Sequence, residues 1–213
     1  MPRRDHDLTP GGQQRRAAII DAAAQLFTEL GYHSTSTALI ADRVGCAKAT
    51  VYHYFRKKPE ILFEIHDQWI EELLGRVSAT PADASLAEFL HQVFRDILHL
   101  METKSDHVRV FFEYYHELPD DLRGVATSKR DAYERMIESR IRSGIDAGIL
   151  RPQHPRIAAF ALFGMCNWSY QWYRPGHELT DREVADELFE IYYAGVRAGS
   201  LDPAPSLGSA GLT

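Results

Sequence analysis

Hydrophobic side chains recur along this chain at steps of three and four residues, the spacing of one face of an α-helix. Short segments with this pattern occupy 36–44 and 48–55, and a longer one runs from Pro59 to Leu74. No alternating run of useful length suggests a β-strand. The pattern therefore predicts an all-α protein. The first stripe consists of Ile19, Ile20, Ala23, Leu26, Phe27 and Leu30.

The helical pattern continues through the second half of the chain, giving about nine helices in all. Thr180 and Glu183 have the spacing of a capping box, which marks the start of the last helix. Residues 199–213 are rich in Gly, Pro, Ser and Ala and are expected to form a flexible tail. The later segments cover 86–101, 107–116, 133–145, 155–173 and 184–195.

Composition agrees with a globular protein of one large or two small domains. The chain has 213 residues, of which 45% are hydrophobic and 25% charged. No uncharged apolar run reaches the roughly 18 residues of a membrane span, and no signal peptide is recognised, so no membrane partner is expected. Cys46 and Cys166 are too few for a disulfide framework, which favours the reducing cytoplasm.

The charge is distributed unevenly. Residues 1–60 hold nine Lys or Arg and six Asp or Glu, a net of +3, although the whole chain carries −6. The remainder is therefore acidic, with a net charge of −9. A basic head on an acidic body suggests that the head works near phosphates.

Two short helices joined by a glycine-containing turn have the layout of a helix-turn-helix, whose second helix enters the DNA major groove. The helix at 48–55 begins after Ala47, a poor N-cap, which suggests that its residues serve a function rather than the stability of the helix. An ordinary solvated face is the alternative. The packing positions are Ile40, Ala41, Val44, Val51 and Phe55, with Cys46 as filler, and the outward side chains are Lys48, Ala49, Thr50, Tyr52, His53 and Tyr54.

Residues 14–62 resemble the TetR family of bacterial transcriptional regulators. The resemblance lies in Ser36-Thr37 at the start of the second helix, in the run Thr50-Val51-Tyr52-His53-Tyr54-Phe55, and in Lys58. It implies a double-stranded operator DNA as partner and a phosphate contact from Lys58. The sequence departs from the family pattern at Ala38 and Ala47.

Residues 155–173 are apolar nearly all round, so this helix is expected to pack against two surfaces. With the last helix it suggests a self-complementary patch and a two-fold homodimer, the assembly that the resemblance also implies. A plain monomeric core is the alternative. One stripe of the helix reads Ile157, Ala161, Gly164, Trp168 and Trp172. The predicted interface residues are Gly164, Trp168, Leu188, Tyr192 and Gly195.

The body is rich in aromatic residues, which can either line an apolar cavity or simply form core. Residues 163–176 resemble a TetR subgroup that answers to acyl-CoA thioesters, which implies a small effector of that class, with CoA phosphates beside Arg109 or Arg174. Free aromatic compounds are the alternative effectors. The predicted pocket residues are Phe94, Phe111, Tyr115, Phe163, Asn167 and Tyr170.

Enzyme, metal and cofactor chemistry have little support in the sequence. There is no Gly-x-Ser-x-Gly, phosphate loop, His-Glu-x-x-His or Cys-x-x-Cys. An enzyme acting on an acyl thioester and a DNA-bending structural protein are the weaker alternatives. Several histidines are expected at the surface or in grooves rather than as metal ligands: His53, His66, His91, His99, His107, His116 and His154.

The sequence therefore predicts a ligand-responsive repressor with three segments. Residues 1–58 form the DNA-binding head, 59–198 the effector-binding and dimerisation body, and 199–213 the tail. The long helix that begins beside Lys58 is expected to be the only element joining head to body directly, and hence the lever of the switch.

Overall fold

The computed structural model describes residues 9–199, and over that range the regular structure is helical apart from one isolated bridge between Leu150 and Arg197. The expected tail lies outside the described residues, except for Gly199. The helical structure of the described residues confirms the predicted all-α fold class. The helices are α1 (Pro10–Leu30), α2 (Thr37–Val44), α3 (Lys48–Tyr54), α4 (Lys58–Ser78), α5 (Leu86–Thr103), α6 (Ser105–Glu113), α7 (Asp120–Asp146), α8 (Pro155–Trp172) and α9 (Asp181–Val196).

Local sequence signals account for most helix ends. The Ser36 hydroxyl caps α2 by accepting from the Leu39 amide, and Gly45 ends that helix at a φ of 67°, a left-handed conformation that glycine adopts without strain. Ser85 and Thr180 begin α5 and α9 with complete capping boxes. The start of α3, at Ala47, has no side-chain cap, and neither do the starts of α4, α6, α7 and α8.

The hydrophobic side chains form two cores. The body core is built from α4, α5, α7, α8 and α9. The head core contains α1, α2 and α3 together with Ile61, Leu62 and Ile65 from the start of α4. The first turns of α4 thus pack with the head, so the boundary expected between residues 58 and 59 falls within one packing unit.

The second connection between head and body runs through α6 and the turn after it. Val110 and Leu118 are buried in the head core, and the Tyr114 hydroxyl donates to the Phe27 carbonyl at 3.3 Å. His33 in turn lies 2.8 Å from Glu117. The expectation that α4 alone joins head to body is therefore wrong, because α6 also packs directly against α1.

Candidate DNA-binding face and effector-binding body

The outer face of α3 carries the side chains that the sequence analysis placed there. Lys48, Ala49 and His53 are exposed, and Tyr52 is 44% exposed. Thr50 and Tyr54 are half-buried, whereas Val51 is completely buried and fixes the helix on the head core. A short polar helix held from one side in this way can present its other side to a base edge or phosphate.

Neighbouring side chains hold that face in place. The Thr37 hydroxyl donates to the Tyr52 hydroxyl at 3.2 Å, which ties the start of α2 to the middle of α3. The Lys48 ammonium lies 5.7 Å from the Tyr52 ring centroid, within range of a cation–π contact. Ser36 already caps α2 with its hydroxyl oxygen. Ser36 therefore fixes the start of α2, and Thr37 helps to position α3.

Lys58 has a different setting from the one expected. Its ammonium donates to the carbonyls of Tyr32 and Thr35 at 2.7 and 2.9 Å, and it lies 4.2 Å from the Tyr32 ring centroid. Desolvation lowers the pKa of Lys58, which Glu117 partly opposes. Two of its three N–H donors thus bind the turn before α2 rather than pointing to solvent. The neighbouring Lys57 is exposed, a cation that the sequence analysis did not single out.

The exposed apolar surface of the body lies on α8 and α9. Ile157 is 65% exposed and Trp168 64%, while Ile191 on the adjacent α9 is 63% exposed. Gly164 lies open on the same stripe as Trp168. Exposed apolar side chains gathered on one face are typical of an interaction site. We call this surface the α8–α9 face; its members are Ile157, Ala161, Gly164, Trp168, Trp172 and Ile191.

The other predicted interface residues lie nearer the core. Leu188 is half-buried and packs against the body core, and Gly195 is also half-buried. Tyr192 requires a correction, because it is only 4% exposed and its hydroxyl donates to the Ala158 carbonyl at 3.0 Å. The apolar stripe of α9 contains both core and surface positions, and spacing alone does not separate them.

The six predicted pocket residues do not converge on one cavity. Phe94 is completely buried and packs against Phe189 and Tyr192, so it is core and not pocket lining. Phe163 lies 5.8 Å from the Tyr133 ring, and Asn167 is half-buried on the same helix.

The remaining three pocket candidates lie on the side of the body that faces the head. Tyr170 stacks on Phe112 with ring centroids 4.7 Å apart. Phe111 and Tyr115 both lie against His66, at 5.0 and 5.9 Å. Aromatic rings from α4, α6 and α8 therefore meet here.

A crevice of about 200 Å³ opens between α1, α6 and the end of α8. Its walls include Thr28, Val108 and Tyr170 together with Arg109 and Arg174. Apolar and aromatic walls with a few polar groups are the usual lining of a ligand site. The two arginines expected beside phosphates line the same crevice as Tyr170. Arg109 pairs with Glu113 at 3.1 Å, and Arg174 donates to backbone carbonyls at the end of α8, which leaves each guanidinium with further N–H donors.

Two larger clefts flank the loop between α4 and α5. One, of about 770 Å³, has Arg76, Glu88 and Asp96 in its walls. The other, of about 590 Å³, lies between α4, α5 and α7 and includes Arg135. Both lie beside the C-terminal end of α4, away from the head, whereas the crevice includes Thr28 of α1 in its wall.

His66 has a setting different from the one expected for it. It was expected at the surface or in a groove, yet it is completely buried on α4, and neither ring nitrogen has a hydrogen-bond partner. Burial lowers its pKa to about 3, so the imidazole is neutral at ordinary pH. An unsatisfied buried polar atom costs about 1–3 kcal/mol. Only the position of His66 on the apolar stripe of α4, between Leu62 and Trp69, signals its burial in the sequence.

Residues 9–199 contain neither a membrane-spanning helix nor a cluster of metal-ligating side chains. None of the helices there is both long and apolar enough to cross a membrane. Within the same range, no three His, Cys, Asp or Glu side chains are grouped to hold a metal ion.

Known families match both parts of the chain. A model of the bacterial regulatory proteins of the tetR family matches residues 19–65, and a model of the tetracyclin repressor-like C-terminal domain matches residues 83–196, more than half of the chain. The chain belongs to the TetR family. It is a ligand-responsive transcriptional repressor of that family and not an enzyme, which decides against the enzyme alternative.

Individual relatives are similar over most of their length. The transcriptional repressor KstR2 of Mycobacterium tuberculosis is 26% identical over 185 residues, which cover 85% of this chain and 92% of that protein. The regulator YhgD of Bacillus subtilis is 26% identical over 180 residues, covering 84% and 94%. The crystal structure of AibR with isovaleryl coenzyme A and operator DNA is 28% identical with a TM-score of 0.73, covering 83% and 97%.

Proposed function

We propose that this TetR-family protein binds a palindromic operator as a homodimer and is released from it by an acyl-CoA thioester. The observation that carries the effector proposal is the crevice in which Arg109 and Arg174 flank Tyr170. An acyl chain can bury its apolar surface against the aromatic rings, while the arginines attract the phosphates of coenzyme A. AibR, a similar protein, was crystallised with such a thioester and with operator DNA.

The α8–α9 face supports the homodimer. Trp168 and Ile157 expose most of their apolar surface in the single chain, and a two-fold axis would bury both against the same face of a second copy. Gly164 adds no side chain between them, so two helices can approach closely. Such a dimer presents two α3 helices, which fits half-sites about one helical turn or somewhat more apart.

Within the head, we assign base and phosphate contacts to α3 and to the exposed cations beside it. Tyr52, His53 and Thr50 lie on the outward side of α3, and Lys48 and Lys57 can reach phosphates. Lys58 instead supports the turn before α2. The proposed reading unit therefore keeps the predicted α3 residues and exchanges Lys58 for Lys57 as a phosphate contact.

The effector proposal is tested by operator release, followed by fluorescence anisotropy, across acyl-CoA thioesters, their free acids and unrelated aromatic compounds. We expect release by thioesters and little by free acids. Arg109→Gln should reduce the difference in operator release between thioesters and free acids. The matched control Arg135→Gln, in another cleft, should leave that difference unchanged. Release by a free aromatic compound and by no thioester would favour the alternative effector class.

The assembly proposal is tested by Trp168→Glu, because a charge buried in an apolar interface is strongly destabilising. The variant should be monomeric in sedimentation experiments and should lose operator affinity at the same time. Val125→Glu, which changes a 42% exposed apolar residue of α7, is the matched control and should stay dimeric. A dimeric Trp168→Glu protein would place the interface elsewhere.

A further inference from the structure

The buried imidazole of His66 lacks the partners that buried polar groups almost always have. Its side chain is 0% exposed, and neither Nδ1 nor Nε2 makes a hydrogen bond. The side chain is not held in place by ion pairing, since burial alone accounts for its lowered pKa. An orphaned polar group inside a ligand-binding body points to a partner that arrives with the ligand.

A continuous run of rings leads from the crevice to His66. Tyr170 in the crevice wall stacks on Phe112 at 4.7 Å, and Phe112 contacts Phe111 at 5.1 Å. Phe111 then lies 5.0 Å from the His66 ring. Phe111, Phe112 and Tyr170 are all only half-buried, so rotation of these rings would give an apolar group access to His66 from the crevice.

The chemistry of the end of this route is specific. A neutral imidazole offers one N–H donor and one acceptor nitrogen, which suits a hydroxyl or a carbonyl. A carboxylate would have to be buried with its charge, at a much higher cost. The Phe111 and Tyr115 rings beside His66, with the Trp69 ring against Phe111, favour a flat partner.

We infer that His66 recognises an uncharged oxygen on a flat, ring-bearing acyl group of the effector, so that the effector is an oxygenated aromatic or alicyclic thioester rather than a saturated chain. The inference rests on the proposed function and names the class of its acyl group. Ile65 packs in the head core and Trp69 in the body core, so His66 lies where α4 passes between the two. A bond formed there acts on both cores.

The test uses phenylacetyl-CoA and its three ring-hydroxylated isomers as probes, with calorimetry on the full-length protein. The wild type should bind at least one hydroxylated isomer about tenfold or more tighter than phenylacetyl-CoA, because a site built for a hydroxyl rejects the analogue lacking it. His66→Phe should lose that preference and keep operator affinity. His66→Gln, which retains a donor and an acceptor, should restore part of it.

A control variant and a spectroscopic signal separate recognition from general disturbance. Tyr133→Phe deletes a different unpartnered buried polar atom from the body and should keep the preference. In wild-type protein, the ring-nitrogen NMR signals of His66 should shift with the preferred isomer and not with phenylacetyl-CoA.

Three results would overturn the inference. They are a wild type that does not distinguish the probes or binds none of them, a preference retained in His66→Phe, and a preference lost equally in Tyr133→Phe. Each leaves the proposed function intact if another thioester still releases the operator. Failure of every thioester to release it would instead refute the proposed function.

Discussion

The protonation of His66 makes the stability of this protein depend on pH. An ordinary histidine has a pKa of 6.5, and burial lowers that of His66 to about 3. Below pH 6.5 the unfolded chain gains a proton at this site that the folded protein does not accept, so the free energy of unfolding falls as the pH falls. The stability that depends on keeping His66 neutral is fully present above pH 6.5. It is lost progressively as the pH falls from 6.5 to about 3.

The size of the effect follows from the two pKa values. Between pH 8 and pH 5 the unfolded state gains stability over about 1.5 pH units at about 1.36 kcal/mol each, or about 2 kcal/mol in total. For a protein of this size, that corresponds to a fall in Tm of roughly 4–8 °C. His66→Phe removes the titrating group and two unsatisfied atoms, so its stability should match or exceed that of the wild type at pH 8.

The assay is urea unfolding of the wild type and His66→Phe at pH 8 and pH 5, at one protein concentration because assembly also affects stability. The stability difference between the two proteins should grow by about 2 kcal/mol in favour of His66→Phe at pH 5. His177→Gln, at an exposed site, serves as the control and should follow the wild type. Parallel pH curves for the wild type and His66→Phe would refute the reasoning.

The same substitution at two glycines should have opposite effects. Gly144→Ala puts a Cβ 2.1 Å from Leu86 Cδ2 and should cost about 1–3 kcal/mol of stability by thermal unfolding. The Cβ of Gly164→Ala meets nothing within 4 Å, so this variant should stabilise the single chain by about 0.5–1 kcal/mol. It should weaken the dimer in sedimentation experiments. An unweakened dimer would contradict a close approach of two helices at Gly164. Lys58→Met should lower operator affinity and head stability but leave the salt dependence of binding unchanged. Lys57→Ala should reduce the slope of log affinity against log salt concentration by about one. A flatter slope for Lys58→Met would restore Lys58 as a phosphate contact.

The sequence predicted the helices because their signals are local. Gly45, Ser85 and Thr180 act within a turn of their own positions, so helix ends follow from neighbouring residues. The outward side of α3 was predicted for the same reason. The exposed stripe through Trp168 was also predictable, since a fully apolar helix exceeds what one core can cover.

The errors arose where a side chain's role depends on residues distant in the chain. Tyr192 belongs to an apolar stripe whether it faces the core or the surface, and only Ala158 on another helix decides it. Lys58 matches a family motif, but the carbonyls of Tyr32 and Thr35 occupy its donors. His66 gave no signal of its missing partners, because an absent hydrogen bond is a property of the packed interior alone.

The shared head core limits how this protein can be recombined with its relatives. Val110, Leu118 and Ala126 are distant in sequence from the first sixty residues, yet they fill the same interior as Phe27 and Ile65. A chimera that joins residues 1–58 to a foreign body would expose that interior on one side. Grafting the DNA specificity of this head onto another regulator therefore requires carrying these three residues and the first turns of α4 along, or transplanting only the outward residues of α3.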